Sequence, residues 1–357
     1  MFGKFSLDAL ANCAFGINPK SFEDESGYFV KRAARMFKNT GMDALKMITR
    51  IIPGGHAIHK ALNIAIIKPK ETKFFMTIIK ETIKQRRETG ARRNDIVDLM
   101  IDCIKNIDIT DANDKLDETQ YDKDMKMNHR NKSVLTEDTI VSTAMVLLVA
   151  GYDTTGMTLS YLSYFMSQNP DLQRRLQNEI DEAFENNNGQ MPDYTTVVEL
   201  PYLDACILET LRMYTPIGSI LRACVKDYKV PGTNVTVKAN EMILIPSIGI
   251  HHDPQFYPNP KQFNPDNFSK EARQSRSPYT FTGFGQGPRA CIGMRFAMLE
   301  MKLALCELLH NFNFLPADRV TQAGLYFEHI SILSAYSNVY CSMRFHILRV
   351  MGGGGNW

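Results

Sequence analysis

Three helical stretches in tandem, each punctuated by a capping group or a proline, make helical periodicity the dominant signal in this chain. The first opens at Thr136, has Glu137 and Asp138 in its first turn, and carries Ile140, Ala144, Leu147, Leu148 and Gly151 at spacings of three and four. This pattern predicts one unusually long helix over 136–168. Asn169-Pro170 starts a second, with Leu172, Leu176, Ile180 and Phe184 on one face and arginines and acids on the other. A third follows Pro201 and carries Leu203, Ile207 and Leu211. Strand character is confined to short pieces such as 228–247, where Pro231-Gly232-Thr233 and the alternation after it predict a small hairpin.

The 357 residues can bury a sizeable core, and 44% hydrophobic with 22% charged residues is ordinary globular composition. A formal charge of +2 gives no global attraction to nucleic acid or to an acidic partner. Seven cysteines, odd in number, scattered and without a C-x-x-C pair, argue against a disulfide framework or structural zinc and for a reducing compartment. Residues 106–132 are poor in large apolar side chains and rich in Asp and Lys, which predicts a solvated connector. No apolar run approaches the roughly 18 to 20 residues of a membrane span, and no signal peptide follows Met1, so no anchor is expected in this sequence.

Three stretches carry candidate chemistry. In the long helix, Ala150 to Gly156 (AGYDTTG) sets an acid and two hydroxyls inside an apolar stripe. Small residues there let another helix cross closely, but a carboxylate costs several kcal/mol when buried unpaired. Thr154 bonded back to the Ala150 carbonyl would loosen the helix, and with Asp153 it would make a proton-handling notch. On the third helix Glu209 and Arg212 share a face at i and i+3, which taken alone reads as an exposed pair worth about 0.2 to 0.5 kcal/mol. Phe284 to Gly293 (FGQGPRACIG) surrounds one thiol, Cys291, with three glycines and Arg289, just before a strongly helical run. Packing, redox chemistry, zinc and haem are the alternatives. A flat glycine-rich loop with one thiolate suits an axial ligand to a planar cofactor better than zinc, which wants three more ligands nearby. The other six cysteines are read as buried and structural.

Together AGYDTT at 150–155, ETLR at 209–212, HHDPQFYPNPKQFNPDNF at 251–268 and FGQGPRACIG at 284–293 resemble, in order and separation, the cytochrome P450 family of haem-thiolate monooxygenases. The likeness is greatest to animal microsomal members that metabolise xenobiotics and lipophilic endogenous compounds. The resemblance implies a mainly α fold with a small β portion. It implies a haem b whose iron takes Cys291 as its metal ligand, with loop amides bonding to the sulfur. Arg289 and Arg222 would pair with the propionates, Phe284 would pack beside the ring, and Gly285, Gly293, Ala150 and Gly151 would border it. Asp153 and Thr154 would be catalytic, delivering protons to dioxygen. Glu209, Arg212 and Asn267 would be structural, so the resemblance replaces the exposed-pair reading. Val146, Leu147 and Ala150 on the long helix, with Ile217, Ile220 and Leu221 after the third helix, would meet a lipophilic substrate. Electrons from NADPH would arrive through a flavin reductase, with cytochrome b5 as a further partner, and Lys270, Arg273 and Arg276 read equally as a basic docking patch or as a merely solvated surface.

Three departures from the family pattern set further expectations. Residues 1–21 resemble a mid-chain segment, so the family's N-terminal third, with its anchor, is expected to be missing, and residues 1–318 are read as a partial haem domain. Asn267 stands where the family has Arg, which predicts a weaker lock on Glu209 and Arg212. Residues 319–357 form an atypical tail without the closing strands. The expectation is therefore a piece of a longer enzyme of the endoplasmic reticulum membrane, from a partial gene model. The alternative is a catalytically incompetent fragment that holds haem weakly or not at all.

Overall fold

A computed structural model describes residues 1–24, 27–37, 69–105, 137–316 and 346–349. In chain order the helices are α1 (Phe2–Phe15), α2 (Tyr28–Phe37), α3 (Pro69–Thr89), α4 (Ile96–Lys105), α5 (Glu137–Gln168), α6 (Pro170–Glu185), α7 (Tyr194–Glu199), α8 (Pro201–Met213), α9 (Ser247–His251), α10 (Lys270–Ser275) and α11 (Met294–Asn311). The strands are β1 (Ile220–Ala223), β2 (Tyr228–Lys229), β3 (Thr236–Val237), β4 (Met242–Ile245), β5 (Phe312–Leu315) and β6 (His346–Arg349). The mainly α class with a small β portion is what the sequence predicted. The expected connector at 106–132 lies outside the described residues, as do Thr136 and most of the tail.

The chain divides into two units. One comprises Leu7–Met36 and Ile58–Tyr152. Its core is a set of helix stripes: Phe75, Ile79 and Ile83 on α3, Leu7, Leu10, Ala14 and Phe15 on α1, Val97 and Ile101 on α4, and Ile140, Val141, Ala144 and Leu148 on α5. Each fully buried aliphatic side chain of this kind contributes about 1.5 to 3 kcal/mol. The α3 stripe ends in Arg86, whose guanidinium reaches Asp95 (2.5 Å), Asp98 (2.9 Å) and the Phe15 carbonyl (3.0 Å), all buried. Burial opposes the Asp98 carboxylate, yet the Arg93 and Asn94 amides and Arg86 together hold its pKa below the ordinary value.

The other unit comprises Met1–Ser6, Phe37–Ala57 and Asp153–Trp357. Its core joins Leu159, Leu162 and Met166 of α5 to Leu176 and Ile180 of α6, Leu203, Ile207 and Leu211 of α8, and Met301, Leu305 and Leu309 of α11. Pro170 and Pro201 stand at the first turns of α6 and α8, where a missing N–H costs nothing. Glu179 of α6 accepts from the Tyr202 and Leu203 amides at 2.8 Å each, satisfying free donors of the α8 N-terminus. Helix α8 is buried on nearly every side.

Three antiparallel strand pairs complete this unit. Strands β1 and β4 pair with Ile220 opposite Ile245, β2 and β3 form the expected hairpin, and β5 pairs with β6. The last pair places one strand, β6, within the 319–357 tail. Gln173 fixes β5, exchanging hydrogen bonds with the Phe314 amide (2.7 Å) and carbonyl (3.1 Å).

Helix α5 corrects an expectation. Asp138–Gln168 is long and apolar enough to cross a membrane by length and composition, with a mean hydropathy of 1.3, and 56% of its most apolar window is buried in protein. Burial at this level suits a core helix. A Cβ on Gly151 would come within 2.7 Å of Leu10, so its smallness serves a close approach of α1. The close-crossing explanation of the Ala-Gly pair therefore applies at Gly151.

Candidate functional site

The site is built on the segment from Arg276 to Gly293 and on the part of α8 that holds it. Ser277 caps a short turn at Pro278–Thr280. Phe281 stacks on His251 (5.3 Å between centroids, 14°) and meets Phe268 edge-on at 5.0 Å. The Thr282 amide donates to His251 Nε2 at 2.9 Å, and His251 Nδ1 lies 3.1 Å from the Arg212 carbonyl. The two contacts fix the neutral tautomer with its proton on Nδ1. Burial pushes the His251 pKa down to about 4, a direction reinforced by the charges of Arg212 and His252.

Beyond Thr282 the chain turns with φ of +71° at Gly285 and +70° at Gly287, conformations that favour glycine. The Cys291 amide then donates to the Phe284 carbonyl at 2.7 Å and closes the loop, while Gln286 ties it to the Pro278 (3.2 Å) and Phe281 (3.1 Å) carbonyls. Helix α11 starts at Met294, with Gly293 as its cap. The Cys291 thiol is exposed, and the neighbouring Ile292 is 90% exposed. Among the described residues no loop amide donates to the Cys291 sulfur, and the Cys291 N–H is given to the Phe284 carbonyl.

Cys291, Phe284 and Gly285 line a cleft of about 710 Å³, whose walls include Leu208, Phe268 and Met298. Among the described residues neither Arg222, which donates to the Leu221 carbonyl at 2.9 Å, nor the exposed Arg289 pairs with a carboxylate. No cluster of three or more His, Cys, Asp or Glu side chains with metal-ligand geometry occurs among the described residues. An exposed single thiol on a rigid loop and two uncompensated guanidiniums fit an anionic planar cofactor ligated through sulfur.

Glu209 and Arg212 do not sit on an exposed face. Both are fully buried, joined by Nε to Oε2 (2.7 Å) and Nη2 to Oε1 (2.8 Å). The remaining Arg212 donors reach the carbonyls of His251 (2.8 Å), Pro260 (3.0 Å) and Gln262 (3.4 Å). Glu209 Oε1 also accepts from the Asn264 amide (2.9 Å) and Asn267 Nδ2 (3.1 Å). Every N–H of the guanidinium is used, which offsets the several kcal/mol that desolvating each ion costs. Burial still prevails at Glu209, whose pKa lies above the ordinary value despite Arg212 and the other donors. The exposed reading failed because the segment from His251 to Phe268 covers this face of α8.

The other expected residues fall as follows. Asp153 is buried and Thr154 half-buried on α5, and Thr158 back-bonds to the Thr154 carbonyl at 2.8 Å. Val146 is 62% exposed, Ala150 is exposed and Leu147 half-buried. In the unit that holds Cys291, Ile217 and Leu221 are exposed and Ile220 half-buried. Cys206 and Cys306 are buried as expected, and burial pushes the Cys306 thiol up to about 12. Cys13 is exposed and Cys224 half-buried, which corrects the uniform buried reading, and the Cys103 side chain and Cys341 lie outside the described residues. Arg276 is turned inward, correcting its assignment to a surface patch, and Arg273 is paired with Asp204 at 3.2 Å.

Sequence reasoning missed His251 as a bridge and the Arg86, Asp95 and Asp98 clasp. The signals were a histidine within the 251–268 motif and two acids opening an otherwise apolar helix.

A helical scaffold that presents the Cys291 thiol on a glycine-rich loop above a buried Glu-Arg lock fits the class of haem-thiolate proteins. The comparisons agree: the Cytochrome P450 family profile matches residues 1–336. Cytochrome P450 6k1 of Blattella germanica is 35% identical over 313 residues, covering 88% of this chain and 59% of the relative. Cytochrome P450 3A2 of Rattus norvegicus is 34% identical over 335 residues, 93% of this chain and 62% of the relative. Probable cytochrome P450 6a13 of Drosophila melanogaster is 31% identical over 331 residues, with coverages of 92% and 62%. The chain belongs to the cytochrome P450 family, and it spans about three fifths of the length of these relatives.

Proposed function

We propose that the chain forms part of a haem-thiolate monooxygenase that inserts one atom of dioxygen into a lipophilic small molecule, with electrons from NADPH delivered by a flavin reductase. The observation that carries this reading is the exposed Cys291 thiol on a loop closed by its own amide. Cys291 would hold haem b from the sulfur side, Phe284, Gly285 and Gly293 would border it, and Arg222 and Arg289 would neutralise its carboxylates. Haem held this way supplies the reductive activation of dioxygen, one oxygen atom going to substrate and the other leaving as water.

Asp153 would hold a proton at its carboxyl and pass it through the Thr154 hydroxyl. Ile217, Ile220 and Leu221 around β1 offer apolar surface for a lipophilic ligand. Lys270 remains from the expected docking patch, Arg273 being paired with Asp204, and exposed Arg295 beside the Cys291 cleft adds to it. An acidic reductase face, or cytochrome b5, would meet these cations. The resemblance to animal microsomal members supports association of the longer protein with the endoplasmic reticulum membrane, facing the cytoplasm, and a part in xenobiotic metabolism.

The test is product formation from a lipophilic probe by the haem-loaded chain with purified reductase and NADPH. Turnover is expected, and Asp153→Asn should lower it by about two orders of magnitude, the usual worth of positioned proton transfer. A chain that keeps its haem and accepts electrons yet forms no product would overturn the monooxygenase reading in favour of a non-catalytic piece.

A further inference from the structure

The inward turn of Arg276 places a second cation beside the buried Glu209-Arg212 lock. Its guanidinium lies 4.4 Å from the Tyr257 ring centroid and 5.6 Å from that of Phe268, while Arg212 lies 5.0 Å from the same Tyr257 ring. Arg276 also donates to the backbone carbonyl of Asn267 and, at 3.5 Å, to that of Phe256. The Asn267 side chain in turn donates to Glu209. One residue therefore holds the backbone from which the short amide reaches the carboxylate. The Tyr257 ring is itself fully buried, and its hydroxyl donates to the Thr280 carbonyl at 3.2 Å, in the run that leads to Phe284 and Cys291.

We propose that Arg276 is a positioning residue for the Cys291 loop, acting through Asn267 and Tyr257 and supplying the cationic lock that Asn267 lacks. An arginine at 267 would reach Glu209 directly, but it would bring a third guanidinium beside Arg212 and Arg276, which already share the Tyr257 ring. Arg276 and an arginine at 267 are thus alternatives, and either alone suffices.

The test is amide hydrogen exchange across 276–293, with the α6 amides as an internal reference, in the intact chain and three variants. Arg276→Met should speed exchange at Thr282 and Cys291 about tenfold relative to α6, the size expected for loss of a partly buried cation–ring contact. Adding Asn267→Arg to that variant should restore protection, whereas Asn267→Arg alone should reduce it. Should Arg276→Met not fold, Arg276→Lys, which keeps the charge but not the planar fork, should loosen the same amides to a smaller degree. Unchanged loop exchange, a uniform loss that includes α6, or failure of Asn267→Arg to rescue would each overturn the proposal. The readout needs no cofactor, so it can fail while Cys291 remains the ligand of the proposed monooxygenase, and the reverse.

Discussion

Two buried titratable residues of the unit that carries Cys291 give its stability opposite pH slopes. His251 titrates near pH 4 in the fold against an ordinary 6.5, chiefly because burial disfavours the imidazolium. The unfolded chain therefore gains a proton first as pH falls, and stability drops between about pH 6.5 and 4. Glu300 is pushed up to about 8 from 4.5 by burial, against a hydrogen bond from Ser6. Its folded form keeps a proton that the unfolded form releases, so stability falls as pH rises from about 4.5 through 8. Denaturant titrations across this range should show Glu300→Gln removing the alkaline loss and His251→Asn flattening the acid one, whatever their effect on the midpoint at neutral pH. Unaltered slopes would refute the assignment. Glu300 could not be singled out in the sequence, because an acid in the amphipathic run MRFAMLEMKLAL is indistinguishable from a solvated one until the neighbours of that face are known. Cys291 was legible because glycines on both sides and an arginine nearby have no use in a simple packed turn.

At the scale of elements, boundaries marked by covalent geometry were the readable ones. Pro170 and Pro201 announced α6 and α8, and the apolar spacing of α5 announced its length, since these signals are local. Burial of α8 on nearly all sides was not readable, because what covers Glu209 and Arg212 arrives from 251–268. Nor was the capping of α8 by Glu179, which reaches across from α6 with both carboxylate oxygens. Glu179→Ala should cost about 1 to 3 kcal/mol in unfolding free energy, the range for charge-assisted bonds to free helix amides. A conservative Glu179→Gln should recover part of the loss, and equal losses for the two variants would show that charge is the whole effect. The β5–β6 pair was missed for a related reason, as strands far apart in sequence leave no local signature when one is short.

For the whole molecule, family membership rests on long-range order among motifs, and that order was legible where individual roles were not. Four motifs in one sequence, each with an ordinary explanation, pointed to a single family, to which the sequence relatives also belong. What the isolated motifs could not convey is how they connect: Glu209 to Asn267, Arg212 through His251 to Thr282, and Tyr257 to Thr280, converging on a loop whose last step is Cys291 to Phe284. This network makes the thiol a presented group on a stiff support, in contrast to Cys206 and Cys306 within the core. Its purpose is tested most directly by the reduced, carbon monoxide-treated difference spectrum of the haem-supplemented chain and of Cys291→Ser. The account predicts a long-wavelength Soret band in the chain that is lost in the variant while the fold persists. Survival of that band without the Cys291 sulfur, or its absence in a folded chain that retains haem, would contradict thiolate ligation by Cys291.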